Sequence, residues 1–176
     1  MIVNLAALLA ACLCAVSATD DGSGFGSAID WLATYDEALD IARDDNKPVM
    51  LIIHKSYCGA CKNLKALFRK EAEDAASAGG AEPGSVTALA ESFAMLNLGD
   101  DDEPQDEIFR PDGGYIPRVL FVTPSGTVLS QVINEGGNPK YKYYYPTMDQ
   151  LAASMAKVLD MDLDQAEIEA KEKLEL

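Results

Sequence analysis

Two cysteines separated by two residues, Cys58-Gly59-Ala60-Cys61, carry the most specific chemical signal in the chain. Thiols at this spacing can close a disulfide, ligate a metal or exchange disulfides with other molecules. Context decides among these. Val49 to Ile53 is a continuous apolar run, as a central strand buried on both faces requires, and from Cys58 to about Glu73 the residues Leu64, Leu67 and Phe68 recur at helical spacing. Cys58 therefore falls at a helix N-terminus, where unpaired N–H groups and the helix dipole favour a thiolate. Cys61 falls one turn further in. On that reading Cys58 is the attacking thiol, Cys61 resolves the mixed disulfide, and Gly59 and Ala60 leave room for a substrate backbone. An inert disulfide remains open as a second reading. Zinc is poorly served: it needs four ligands, and His54 is the only histidine. No metal or cofactor is expected, since the electrons of thiol exchange reside in the thiols themselves.

A second element is Ile116-Pro117, which follows Gly113-Gly114-Tyr115 and precedes an apolar run. A proline there suits an ordinary strand start, or a cis bond that shapes a site.

The elements that must position these residues follow from pattern. Thr34-Tyr35-Asp36-Glu37 is a capping box, opening an amphipathic helix that Asn46-Lys47-Pro48 ends. After the CxxC helix, Ala75 to Pro83 reads as a loop and Ser85 to Ser92 as a short helix. Phe93 to Leu98 is a second apolar strand. Arg118 to Thr123 and Thr127 to Ile133 read as strands joined by Pro124-Ser125-Gly126, a hairpin signal. Thr147 opens a helix to about Leu159, with Gln150 completing another capping box. The order predicts an α/β fold: a mixed central sheet, flanked by helices, with a parallel pair followed by an antiparallel hairpin.

Four segments are expected. Residues 1–18 are uncharged, with an apolar run from Leu5 to Val16 and small residues at Val16-Ser17-Ala18, the pattern of a signal peptide; no Lys or Arg precedes the run. Its removal takes Cys12 and Cys14 and leaves only the CxxC pair, in an oxidising compartment. Residues 19–27 are Gly/Ser/Asp-rich and read as a mobile arm. Residues 28–160 form the domain, and 161–176 an acidic helical tail. Asp100, Asp101, Asp102, Glu103, Asp106 and Glu107 crowd one loop. They lack the ligand spacing of a calcium site and read as a solvated charge run. Trp31 is expected in or near the core, and the cluster Tyr141, Tyr143, Tyr144 and Tyr145 either as a peptide-contact surface or as cover for the sheet edge. Lys+Arg is 14 against Asp+Glu of 29, a formal net charge of −15. That argues against nucleic-acid binding and against docking on anionic membrane. No later apolar run is long enough for a membrane anchor.

Strand–CxxC–helix followed by X-Pro–strand–hairpin–helix resembles the thioredoxin family. Longer stretches narrow the likeness: Ile52-Ile53-His54-Lys55-Ser56-Tyr57-Cys58-Gly59-Ala60-Cys61-Lys62, Pro111-Asp112-Gly113-Gly114-Tyr115-Ile116-Pro117-Arg118, and Ile133-Asn134-Glu135-Gly136-Gly137-Asn138-Pro139. These resemble small single-domain oxidoreductases of the endoplasmic reticulum, of the thioredoxin domain-containing protein 12 type, related to the anterior gradient proteins. The resemblance implies a thioredoxin-like fold, a cis Pro117 facing the CxxC, and a substrate groove shaped by Tyr57, Gly59, Ala60, Ile116 and Pro117. It implies client proteins carrying thiols or disulfides as partners. Keeping both cysteines, unlike anterior gradient relatives with one, supports redox activity.

The departures are specific. Tyr57 stands where Trp usually precedes the CxxC. Ile52 stands where thioredoxin and protein disulfide isomerase place a buried, proton-shuttling carboxylate. His54 and Lys55 could take that role, or His54 could be a packed, hydrogen-bonded residue. Ala60 replaces the isomerase's His, which implies a less oxidising pair. Finally, Lys173-Leu174-Glu175-Leu176 resembles the Lys-Asp-Glu-Leu retrieval signal, implying a retrieval receptor as partner and residence in the endoplasmic reticulum lumen.

Overall fold

The computed structural model describes residues 22–174. The stretch read as a signal peptide lies outside the described residues, as do Glu175 and Leu176. The helices are α1 (Tyr35–Asp44), α2 (Gly59–Ala78), α3 (Val86–Leu89), α4 (Met148–Leu159) and α5 (Leu163–Leu174). The strands are β1 (Trp31–Leu32), β2 (Val49–His54), β3 (Ala94–Gly99) and β4 (Arg118–Val122). They form one mixed sheet in the order β1-β3-β2-β4. β3 runs parallel to both β1 and β2, and β4 runs antiparallel to β2, pairing Ile53 with Arg118 and Ile52 with Val119. The predicted fold class, an α/β thioredoxin-like sheet flanked by helices, is the one observed.

β2 is buried along its whole length because helices cover both faces. Met50 and Ile52 pack with Leu64 and Phe68 of α2 and with Leu151 and Met155 of α4. Val49, Leu51 and Ile53 face the other way, onto Ala38, Leu39 and Ala42 of α1. The alternation follows from the two-residue period of a strand. α1 starts where its capping box predicts: Thr34 Oγ1 accepts from Glu37 N–H, and the Glu37 carboxylate reaches back to Ala33 N–H.

Several expectations are corrected. α2 continues past Glu73 into the stretch read as a loop. Ala75 and Ala76 are strong helix formers, and Gly79 is where a left-handed residue (φ +82°) can cap the end. Residues 127–133 do not form a full strand. Thr123 and Leu129 make hairpin-like hydrogen bonds across the turn, Leu129 N–H donating to Phe121 at 2.8 Å. The chain then bends at Ser130, and the β4 edge is instead met by Tyr143, whose carbonyl accepts from Val119 N–H at 2.8 Å. Gln150 does not close a capping box; its side chain is drawn to Asn134 and the Gly136 carbonyl.

The N-terminal arm also differs from expectation. The described part of the expected mobile arm, 22–27, packs on the domain: Phe25 is buried and stacks edge-on against Phe68 and His54. The acidic tail is helical and docks on the domain. Ala166 and Ala170 are buried, Gln131 donates to the Ala166 carbonyl, and Thr123 and Ser125 donate to Glu167. Of the terminal four residues, Lys173 and Leu174 lie within the span of α5. Among the described residues no helix is long and apolar enough to cross a membrane.

Candidate active site

β2 ends at His54, and a short loop delivers the chain to α2. Cys58 is the N-cap of α2, with extended backbone, and its sulfur accepts from Cys61 N–H at 3.3 Å. The first helical turn thus spends an otherwise unpaired donor on the Cys58 sulfur. Both cysteines are free thiols; Cys58 is half-buried and Cys61 buried. A Cβ placed on Gly59 would meet nothing within 4 Å, so the approach over the turn is open. Burial, then the hydrogen bond with Cys58, pushes the Cys61 thiol up to about 12. Against this, Lys55 N–H donates to Cys61 Sγ at 3.5 Å.

The opposite wall is the loop before β4. The Ile116-Pro117 peptide is cis, and the Ile116 carbonyl accepts from Cys58 Sγ at 3.7 Å. Tyr115 anchors this loop: its hydroxyl donates to Asp112 and accepts from Tyr143 N–H, each at 2.9 Å. Its ring meets Tyr141 edge-to-face, centroids 5.0 Å apart. Tyr57 is 76% exposed beside Cys58, and Tyr141 is 45% exposed. Tyr143 and Tyr145 are buried. The tyrosine cluster therefore divides, part covering the sheet edge and part lining the outside.

Ile52 is fully buried in the α2-side core, so no carboxylate stands at that position. His54 is buried too. Its Nε2 meets Asn97 Oδ1 at 3.1 Å, its ring edge packs on Phe25, and Nδ1 lacks a hydrogen-bond partner among the described residues. The ring lies over Gly99, where a Cβ would come within 2.7 Å of it. Burial holds the His54 pKa below its ordinary value, with the Asn97 bond opposing. His54 and Asn97, with Trp31, Lys65 and Asp100, line a cavity of about 400 Å³. Trp31 packs between Phe25 and Phe68, near the site.

One functional candidate was not singled out by its sequence context: Glu103. The acidic loop reads as solvated charge, yet the Glu103 side chain is only 12% exposed. Its Oε2 meets Lys55 Nζ at 2.9 Å and its Oε1 meets Arg118 Nη2 at 2.7 Å. Arg118 is fully buried. It spends its other nitrogens on the Phe109 and Tyr115 carbonyls. Burial works against the Glu103 charge, but hydrogen bonds from Lys55 and Arg118 and their positive charge hold its pKa at about 2. Asp100 of the same loop accepts from Ser56 N–H at 2.9 Å, and its carbonyl accepts from Lys55 Nζ. The only legible signal was Arg118 itself, a cation in an otherwise apolar strand that demands a buried partner. Among the described residues no group of three or more His, Cys, Asp and Glu is gathered to hold a metal.

A dithiol turn at the start of the helix that follows a central strand, facing a cis-proline loop, defines a thioredoxin-like domain. A thioredoxin-like family model matches residues 30–78. Anterior gradient protein 3 of Xenopus tropicalis is 33% identical over 138 residues, 78% of this chain and 76% of that protein. Anterior gradient protein 3 of Mus musculus is 36% identical over 77% of this chain and 74% of its own. The Homo sapiens anterior gradient protein 2 homolog is 35% identical over 78% and 71%. A thioredoxin from Thermus thermophilus, solved in solution, aligns over 76% of this chain and 88% of its own, with a TM-score of 0.45 and 19% identity. The chain belongs to the anterior gradient protein family.

Proposed function

We propose that the protein is a thiol–disulfide oxidoreductase acting on client proteins in the endoplasmic reticulum lumen, and that within its family it is of the two-cysteine, thioredoxin domain-containing protein 12 type. The observation that carries this is the Cys58 sulfur, poised between the N-terminus of α2 and the Ile116 carbonyl, with Cys61 buried one turn behind it. In the reducing direction the Cys58 thiolate attacks a client disulfide. One client sulfur leaves as a thiolate and takes up a proton, and the other stays bonded to Cys58. Cys61 then loses its proton and attacks the Cys58 sulfur, releasing the second client thiol. Two electrons pass to the client, and the Cys58–Cys61 disulfide remains. Run backwards, the same steps oxidise a client dithiol. Tyr57, Gly59, Ala60, Ile116 and Pro117 form the groove in which the client backbone lies.

Insulin reduction tests the reading. Wild-type protein should turn over, Cys58→Ser should be inactive, and Cys61→Ala should accumulate mixed disulfides with clients. Turnover that survives Cys58→Ser would overturn it. One observation favours a second reading, a client-holding module without turnover: Cys61 is buried, which pushes its thiol up, and Ile52 supplies no acceptor for its proton. That reading requires Cys58→Ser to retain full client binding and wild type to show no insulin reduction.

Residence in the lumen rests on the signal-peptide pattern and on Lys173-Leu174-Glu175-Leu176 as the ligand of a retrieval receptor. Deleting those four residues should move folded, exchange-competent protein to the medium. Retention of the truncated protein inside cells would refute receptor-mediated retrieval.

A further inference from the structure

We propose that Glu103 is a positioning residue for thiol exchange: from the acidic loop it holds the Lys55 backbone against Cys61 and, through Arg118, the Tyr115-Ile116 segment against Cys58. One carboxylate thereby sets both walls of the groove. The proposal deepens the oxidoreductase reading and rests on it.

The connections are continuous. Lys55 N–H touches the Cys61 sulfur, and Lys55 Nζ is tied to Glu103 Oε2 at 2.9 Å. Glu103 Oε1 takes Arg118 Nη2 at 2.7 Å, and Arg118 donates to the Tyr115 carbonyl. The next carbonyl along, that of Ile116, takes the Cys58 thiol. The path leaves one cysteine and returns to the other through the Lys55, Glu103 and Arg118 side chains, each no more than 15% exposed. The two carboxylate oxygens are divided between the two cations, with Arg110 adding a longer contact of 3.5 Å to Oε1. An amide would turn a donor toward one cation, and a side chain one methylene shorter would not span both. The neighbouring Asp101 and Asp102 are exposed, so the role belongs to Glu103 and not to the acidity of the loop.

The position of Lys55 separates this from a merely structural role. Of the two sulfurs its arm touches only that of Cys61, the Lys55 carbonyl taking the Cys58 backbone N–H at 3.3 Å, whereas Arg118 reaches only the wall that engages the client. Loss of Glu103 should disturb both, and loss of the Lys55 ammonium only the first. A defect in global stability would not divide in this way.

The full chain is loaded at Cys58 with oxidised glutathione, and release of glutathione by Cys61 is followed by quenched mass spectrometry. Glu103→Gln should slow release at least tenfold. Lys55→Met, at a rim position with its side chain 15% exposed, should slow release similarly while leaving the first, loading step within twofold of wild type. Asp101→Asn should match wild type in both steps. If folded Glu103→Gln or Lys55→Met releases glutathione within twofold of wild type, Glu103 does not position the site. Should Glu103→Gln fail to fold, Lys55→Met decides alone. Insulin reduction by wild type is measured in parallel. Absent turnover with an intact release defect would sink the oxidoreductase reading and leave the positioning role standing; turnover without the defect would do the reverse.

Discussion

The sulfur of Cys58 lies 3.7 Å from the carbonyl oxygen of Ile116, while the sulfur of Cys61 is turned inward to Lys55 N–H. A reagent arriving from solvent meets the half-buried Cys58 sulfur before the buried sulfur of Cys61.

Alkylation should report that asymmetry. Cys61 is buried, and its thiol is pushed up to about 12. At pH 7 iodoacetamide should therefore label Cys58 at least about 100-fold faster than Cys61, because only thiolates react. Peptide mapping of partially labelled protein gives the ratio. Equal labelling, or preferential labelling of Cys61, would overturn the assigned roles.

Resolution should be limited by deprotonation of Cys61. Ile52 offers no acceptor, so release of a mixed disulfide should rise about tenfold per pH unit between pH 7 and 9. Ile52→Glu should speed release at pH 7 and lower stability by more than about 3 kcal/mol, since an unpaired charge is buried. A pH-independent release rate in wild type would show another proton acceptor at work. His54→Ala would then identify or exclude the imidazole.

Acid should loosen the ion network through Glu103. Its folded pKa, about 2, lies below the ordinary 4.5. The unfolded chain binds the proton first, so the stabilisation is complete above about pH 4.5 and is lost as pH falls toward 2. With screening at the loop edge allowed for, the loss is about 2 kcal/mol. Urea midpoints between pH 5 and 2.5 measure it, and Glu103→Gln should flatten that limb of the curve. The His54 shift acts at higher pH and in the same direction. Its folded pKa is lowered, so stability falls as pH drops below the ordinary 6.5.

Gly99 is required for space, with φ −113° open to any residue. Gly99→Ala would set a methyl within 2.7 Å of the His54 ring and should destabilise by about 1–3 kcal/mol. In a His54→Ala background the same change should be nearly neutral. A double-mutant cycle in urea tests the pair, and equal costs in both backgrounds would disprove the steric account.

Much of the molecule was legible in residue order because it depends on short-range pattern. An apolar run with a Pro before it, a capping box four residues long, and a CxxC ahead of a helical repeat each carry their own local physics, and β2, α1 and the start of α2 form where those patterns predict. The cis Ile116-Pro117 bond was implied by resemblance. Other features depend on partners far along the chain. β1 has two residues and exists because β3 offers an edge to Trp31 and Leu32. Phe25 looks like part of a Gly/Ser arm until Phe68 and His54 surround it. The 127–133 run stops pairing because Tyr143 takes the β4 edge. Glu103 is indistinguishable from its acidic neighbours in sequence; only the fold brings Lys55 and the buried Arg118 to it, and a carboxylate's role is set by which cations it meets after burial.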